Sequence, residues 1–211
     1  MRVLPVGEDS LLVEVSSDGE AQALHAELLR RRAEGVLAAR EIVPAARTVL
    51  LDGLADPARV AAELSAAQLP PVAPSVRETV EIPVRYDGPD LADVAAHWGV
   101  GVAEVARLHA AAEFRVAFCG FAPGFGYLTG LPPHLDVPRR ATPRTSVPAG
   151  SVAMAGPYTG VYPRSSPGGW QLIGTTDLVL WDHARVPAAL LSPGARVRFV
   201  PVDGPAPAGA A

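Results

Sequence analysis

The chain predicts an α+β protein of two units, and three observations carry that prediction. Apolar residues recur at helical spacing in four stretches, all of them before residue 113. Short apolar runs of strand length are set off by turn formers, with 22 Pro and 20 Gly among 211 residues. Between the two regions, Leu69-Pro70-Pro71-Val72-Ala73-Pro74 places three prolines in six residues, which favours an extended connector. An apolar fraction of 49% is enough to bury a core without disulfides, since a chain of this size hides roughly 70% of its unfolded surface.

In order along the chain, Leu11 to Val15 reads as a strand. Asp18 opens a helix whose Ala21, Leu24 and Leu28 share one face, and Gly35 ends it. Arg40 to Val43 and Arg47 to Leu51 read as strands around Pro44. Asp56 caps a second helix with Pro57 at its first position, and Val60, Leu64 and Ala67 form its buried stripe. The order β-α-β-β-α is most of a ferredoxin-like split βαβ. After the connector, Glu78 to Val84 alternates as a strand, and Asp90 to His97 and Val102 to Ala112 read as two short helices. From Cys119 to Trp170, 9 Gly and 9 Pro among 52 residues exclude long helices and predict the strands of a closed or nearly closed sheet, which Leu178 to Trp181 and Arg196 to Val200 would complete. The expected boundaries are 1–70 and 77–202 for the units, 71–76 for the linker and 203–211 for a loose tail.

Composition removes several classes of function. A net charge of −4 does not suit a surface that neutralises phosphates along a duplex, so nucleic acid is not an expected partner. The stretch 91–108 has helix-turn-helix spacing, yet its second helix offers only Glu104 and Arg107, so it reads as a plain helical hairpin. All 18 basic residues are Arg, which excludes Schiff-base, pyridoxal-lysine and phosphate-loop lysine chemistry. Cys119 is the single cysteine and sits in an apolar run, as a small buried hydrophobe does. His25, His97, His134 and His183 lack metal-site spacing, and no metal is expected. With no signal-like start and no apolar stretch of about 18 residues, a cytoplasmic, non-membrane protein is expected.

Three segments carry chemistry. Gly120 to Gly130 lacks the order of a nucleotide loop, but Gly124, Phe125 and Tyr127 can line a cleft with amides and aromatic faces. Arg139, Arg140 and Arg144 are the densest positive charge of the second unit, suited to a carboxylate or phosphate clamp. Ser165 to Gln171 adds hydroxyls, amides and an indole platform through Ser166, Gly168, Gly169, Trp170 and Gln171. His109, at a helix end before Glu113, is the proton-transfer candidate, weighed against a packing role.

These motifs resemble a known family. Phe118-x-Gly120-Phe121-Ala122-Pro123-Gly124-Phe125-x-Tyr127-Leu128, Ala141-Thr142-Pro143-Arg144-Thr145, Val147-Pro148-Ala149-Gly150-Ser151-Val152, Thr159-Gly160-Val161-Tyr162-Pro163 and Ser166 to Gly174 are similar, in this order, to the family containing the B component of bacterial 5-oxoprolinase, the sporulation kinase inhibitor KipI and allophanate hydrolase subunit 1. The resemblance covers nearly the whole chain. It implies a ferredoxin-like N-terminal domain followed by a cyclophilin-like β-barrel. It also implies ATP-dependent opening of 5-oxo-L-proline to L-glutamate together with the homologous C component and the A component of 5-oxoprolinase, the ATP and its Mg bound by or shared with those partners. Within it, Arg144 is the expected anion clamp and His109 the expected proton-transfer residue. Gly124 to Tyr127 and the 166–171 segment would shape a pocket for a small anionic substrate. The alternatives are a KipI-like inhibitor of a histidine kinase and a carboxyltransferase component of a urea carboxylase and allophanate hydrolase system. Where the family often has Gln-Thr-Gly, this chain has Tyr158-Thr159-Gly160.

Overall fold

The structure, a computed structural model, describes residues 1–66 and 79–202. The chain divides into two compact units, Met1–Ser75 and Val76–Ala211. The proline-rich connector, Ala67, Glu78 and the expected tail lie outside the described residues.

The first unit runs β1 (Arg2–Val6), β2 (Ser10–Glu14), α1 (Asp18–Ala33), β3 (Glu41–Pro44), β4 (Thr48–Asp52) and α2 (Pro57–Ala66). Ser17 caps α1 by accepting from the Glu20 N–H at 3.2 Å, and the Asp56 carboxylate accepts from the Arg59 N–H at 3.0 Å at the start of α2. The sheet order is β1-β2-β4-β3 with every pairing antiparallel. Strand β1 was not foreseen: Pro5 and the Gly7-Glu8-Asp9 turn obscure its alternation, and pairing with β2 defines it. Leu11, Val13, Val49 and Leu51 pack with Leu24, Leu28, Val60 and Leu64 into one core.

In the second unit, β5 (Thr79–Val84) leads to α3 (Leu91–Trp98) and α4 (Val102–Ala111). Then come β6 (Phe114–Cys119), β7 (Gly126–Thr129), β8 (Arg144–Val147), β9 (Ser151–Ala155), β10 (Tyr158–Val161), β11 (Ser166–Gly168), β12 (Gln171–Thr175) and β13 (Arg196–Pro201). Seven strands form one sheet in the order β12-β9-β10-β7-β6-β13-β5. Its two ends meet. Beyond β5, Arg85 and Thr175 exchange backbone hydrogen bonds of 2.9 and 2.8 Å, and the Asp90 N–H donates to Leu172 O at 3.0 Å, so the sheet is a nearly closed barrel. Leu178 to Trp181 is not the expected strand. Thr176 Oγ1 accepts from the Leu178 N–H and the Arg185 guanidinium donates to Val179 O, while Leu180 O accepts from the Leu190 N–H at 2.9 Å and Trp181 makes an isolated bridge to Ala189, so backbone pairing is confined to the end of the segment.

Alternation sorts the barrel into two faces. Ile82, Val84, Phe114, Val116, Leu128, Val152, Met154, Val161, Ile173, Val197 and Phe199 fill the interior, joined by Leu91, Val94 and Val105 of the α3–α4 hairpin. On the other side of β9, Ala153 and Ala155 are also buried, beneath a second cluster that includes Val147 of the β8–β11 ribbon.

Candidate functional site

Aromatic residues dominate that outer face because the strand register aligns them. Phe118 of β6 lies opposite Tyr127 of β7, their rings stacked at 4.3 Å, and Tyr158 of β10 meets both edge-on at 5.6 Å. The chain of rings continues from Tyr127 to Trp170 at 5.7 Å, from Trp170 to Phe125 at 5.5 Å and from Phe125 to Tyr162 at 5.5 Å. Small Ala153 and Ala155 beneath leave room for these rings.

The β6–β7 turn ends this row with an exposed ring. Phe121 is the one non-glycine with positive φ among the described residues, at 64°, and is 57% exposed. Ala122 N–H donates to Gly120 O at 2.7 Å and Phe125 N–H to Ala122 O at 2.9 Å, which holds the strained residue in place. Its ring stands 5.3 Å from that of Phe125 and 6.0 Å from that of Tyr162. Gly124, with φ 85°, is required here, because a Cβ would lie 2.9 Å from Trp181 Cβ.

The arginine loop lies along the same face. The Arg140 N–H donates to Gly169 O at 2.8 Å and Gln171 Nε2 to Pro138 O at 3.1 Å, tying 138–140 to the β11–β12 connection and the first residue of β12. Arg144 donates two hydrogen bonds to Asp90, at 2.8 and 2.7 Å, and Arg140 a third at 2.5 Å. Burial pushes the Asp90 carboxyl up, but hydrogen bonds from Arg144 and the Leu172 N–H, with the two guanidinium charges, outweigh it and hold the group below the usual carboxylate range. Arg139 is exposed and pairs with no carboxylate among the described residues. Burial raises the phenols of Tyr127 and Tyr162, an effect that the positive charge of Arg139 opposes only in part.

The expected site residues therefore divide. Gly124, Phe125, Tyr127, Arg144, Ser166, Gly168, Gly169 and Trp170 come together on one face, with Gly168 opposite Arg144 in the β8–β11 pairing, whereas Gln171, paired with Met154 of the interior cluster, alternates to the other side of the sheet. Several are not presented as expected. Trp170 and Phe125 are buried and act as floor, the 166–171 segment is strand β11, a two-residue connection and the first residue of β12 and not an open turn, and the Arg144 guanidinium already holds a carboxylate. Ser166 Oγ and Gln171 Oε1 are buried without a hydrogen-bond partner. Sequence reading did not single out Phe121, Tyr162, Asp90 or the difference between Arg139 and its neighbours. A phenylalanine inside a Gly-x-Ala-Pro-Gly turn was the one available signal.

His109 stands apart from this cluster. It is fully buried in the barrel core, with Nδ1 2.8 Å from the Tyr86 hydroxyl and Nε2 3.2 Å from Thr159 Oγ1. Burial pushes its pKa down to about 3, so the ring is neutral at pH 7. Cys119 is half-buried and its thiol is pushed up to about 11 by burial. No helix is long and apolar enough to cross a membrane among the described residues.

Comparison with known proteins places this geometry in a family. The family model for the carboxyltransferase domain, subdomain C and D, matches residues 1–191. A protein from Escherichia coli O157:H7, named as the B component of 5-oxoprolinase, is 58% identical over 125 residues, covering 58% of this chain and 57% of its own length. The chain spans only 54 to 60% of the length of the curated relatives it matches. The crystal structure of TTHA0988 superposes with a TM-score of 0.75 at 36% identity, over 94% of this chain and 40% of that one. The urea carboxylase of Kluyveromyces lactis shares the fold, with a TM-score of 0.65 at 19% identity over 96% of this chain and 23% of that one. With its barrel, its aromatic face and a family match over most of its length, the chain belongs to the carboxyltransferase-domain family of subdomains C and D.

Proposed function

We propose that the chain is the B component of an ATP-dependent 5-oxoprolinase, which adds water across the lactam of 5-oxo-L-proline to give L-glutamate while ATP becomes ADP and phosphate. The observation that carries this reading is the 58% identity to a protein of that name. The face described above suits such a substrate. A 5-oxoproline molecule is a flat five-membered ring with one carboxylate. Arg139 offers that carboxylate a planar pair of donors, and the Tyr127 and Tyr162 hydroxyls offer donors to a second oxygen. Phe121 supplies an exposed ring to cover the lactam. Arg144 and Arg140 support this arrangement from behind through Asp90. His109 is assigned a packing role, since its nitrogens are both engaged inside the barrel.

To ATP this chain offers Arg, backbone amides and hydroxyls as donors. The chain has no Lys, and no three His, Cys, Asp or Glu side chains among the described residues are grouped to hold a metal ion. We assign the nucleotide and its Mg to the homologous C component and to the A component, so the chain acts as one part of a hetero-oligomer. ATP consumption implies a cytoplasmic setting. The finer fold reading is a ferredoxin-like first unit, with β1 supplying the edge strand, and a cyclophilin-like barrel.

The test is reconstitution with the A and C components, followed by measurement of ADP and glutamate formed with 5-oxoproline. Arg139→Ala is expected to raise the KM for 5-oxoproline by about 50-fold, the scale of a lost charge-assisted pair. An unchanged KM removes Arg139 from the site, and a complete complex that consumes no lactam ends the reading. The fold shared with urea carboxylase favours a second reading, a carboxyltransferase component, which predicts turnover only with carboxybiotin and urea.

A further inference from the structure

We propose that Asp90 is a positioning residue: its buried carboxylate fixes the 138–144 loop so that the Arg139 side chain is held out at the surface in one place. The role given to Arg139 rests on the function proposed above; the placement of the loop does not.

Asp90 occupies the N-cap of α3, where an aspartate ordinarily accepts a hydrogen bond from its own helix. Here the side chain makes no such bond. It is turned instead toward residues 50 and more positions away, accepting from Arg140 Nη1 at 2.5 Å, Arg144 Nη1 and Nη2 at 2.8 and 2.7 Å, and the Leu172 N–H at 2.7 Å. The residue is 2% exposed, so no water substitutes for these donors. A local preference has been overridden by a tertiary contact, which is a mark of a constrained site.

The two arginines bracket the loop. Arg140 lies at its start and Arg144 opens β8, so one carboxylate fixes both ends of 140–144. Arg139 is adjacent to the first anchor, between Pro138 and Arg140, whose backbones are both bonded to the 169–171 segment. Its backbone is thus immobilised on two sides while its side chain stays exposed. Without the Asp90 charge, two half-buried guanidiniums lose their partner and repel each other; the β8–β11 pairing still holds the Arg144 end, but the 138–140 end keeps only the bonds from Gln171 Nε2 and to Gly169 O that are described above.

Two measurements test this. In the full chain, trypsin cleavage after Arg139 and Arg140 is followed by mass spectrometry, with cleavage after Arg107 in α4 as the control for global opening. Asp90→Asn is expected to speed cleavage after Arg139 and Arg140 at least tenfold and after Arg107 less than twofold. An equal speed-up at Arg107, or none at Arg139 and Arg140, overturns the proposal. In the reconstituted complex, Asp90→Asn is expected to raise the KM for 5-oxoproline about tenfold with kcat within threefold. Combining it with Arg139→Ala should then raise KM no further than Arg139→Ala alone. Multiplying effects in the double variant overturn the positioning role. If the wild-type complex consumes no 5-oxoproline, the functional reading fails and the cleavage pattern decides the proposal by itself. Should Asp90→Asn fail to fold, Arg140→Gln removes one of the charged contacts together with the cleavage site after residue 140, and is read by cleavage after Arg139 against Arg107 and by the KM.

Discussion

The interior of the barrel and its outer aromatic face use similar residues to opposite ends. Inside, Phe114 and Phe199 close around His109 at 4.9 and 4.6 Å, and both imidazole nitrogens have partners. Outside, Phe121 is strained and exposed, Arg139 has no carboxylate among the described residues, and Ser166 Oγ has no partner. A buried polar group with its bonds satisfied stabilises a fold, whereas strain and unmet polar atoms beside open aromatic surface are conditions a ligand can relieve. Chemical type alone therefore does not separate a site from a core; the state of each polar atom does.

The sharpest way to break this contrast is to truncate one phenylalanine on each side. Phe114→Ala removes a ring from the interior and is expected to cost about 4 kcal/mol in urea denaturation. Phe121→Gly removes an exposed ring and relieves a left-handed backbone, so stability should change by less than about 1 kcal/mol while the KM for 5-oxoproline rises. Equal costs would erase the distinction.

The second test is the response of the interior to acid. The unfolded chain protonates His109 near its ordinary value of 6.5, whereas the folded chain does so only near 3. Between these values the unfolded state binds the extra proton, so stability falls as pH drops from 6.5 toward 3 and is untouched by this group above 6.5. His109→Leu should flatten that slope in a series of thermal melts, at a fixed cost of about 2 kcal/mol for the unpaired Tyr86 hydroxyl. A slope that survives the substitution would show that other groups govern it.

The smallest effect belongs to the outer face. A Cβ at Gly168 would lie 2.3 Å from the Tyr162 hydroxyl. Gly168→Ala is expected to displace Tyr162 and raise KM several-fold, at a stability cost of about 1 kcal/mol. An unchanged KM would separate Tyr162 from the site.

Much of the fold was legible because its signals are local. Asp18 and Pro57 mark helix starts, Gly35 a helix end, and the alternation in β5 and β13 appears in the residues themselves. What stayed hidden was pairing at a distance. Strand β1 exists through β2, and 178–181 makes only an isolated bridge at Trp181, with Thr176 and Arg185 taking the backbone of Leu178 and Val179. Within the site, the three arginines look equivalent as text. One carboxylate, fifty residues earlier in the chain, takes Arg140 and Arg144 and leaves Arg139.

By itself, the amino-acid sequence determined the two-unit α+β plan, the absence of lysine chemistry and the segments from which a site is assembled, since each follows from composition, spacing and turn chemistry along a short stretch. Tertiary structure alone decided that Trp170 is floor, that His109 is core and that Arg139 is the arginine left open to solvent. The reason is that burial and charge pairing depend on which side chains meet across the barrel, and those meetings join residues that no local pattern connects.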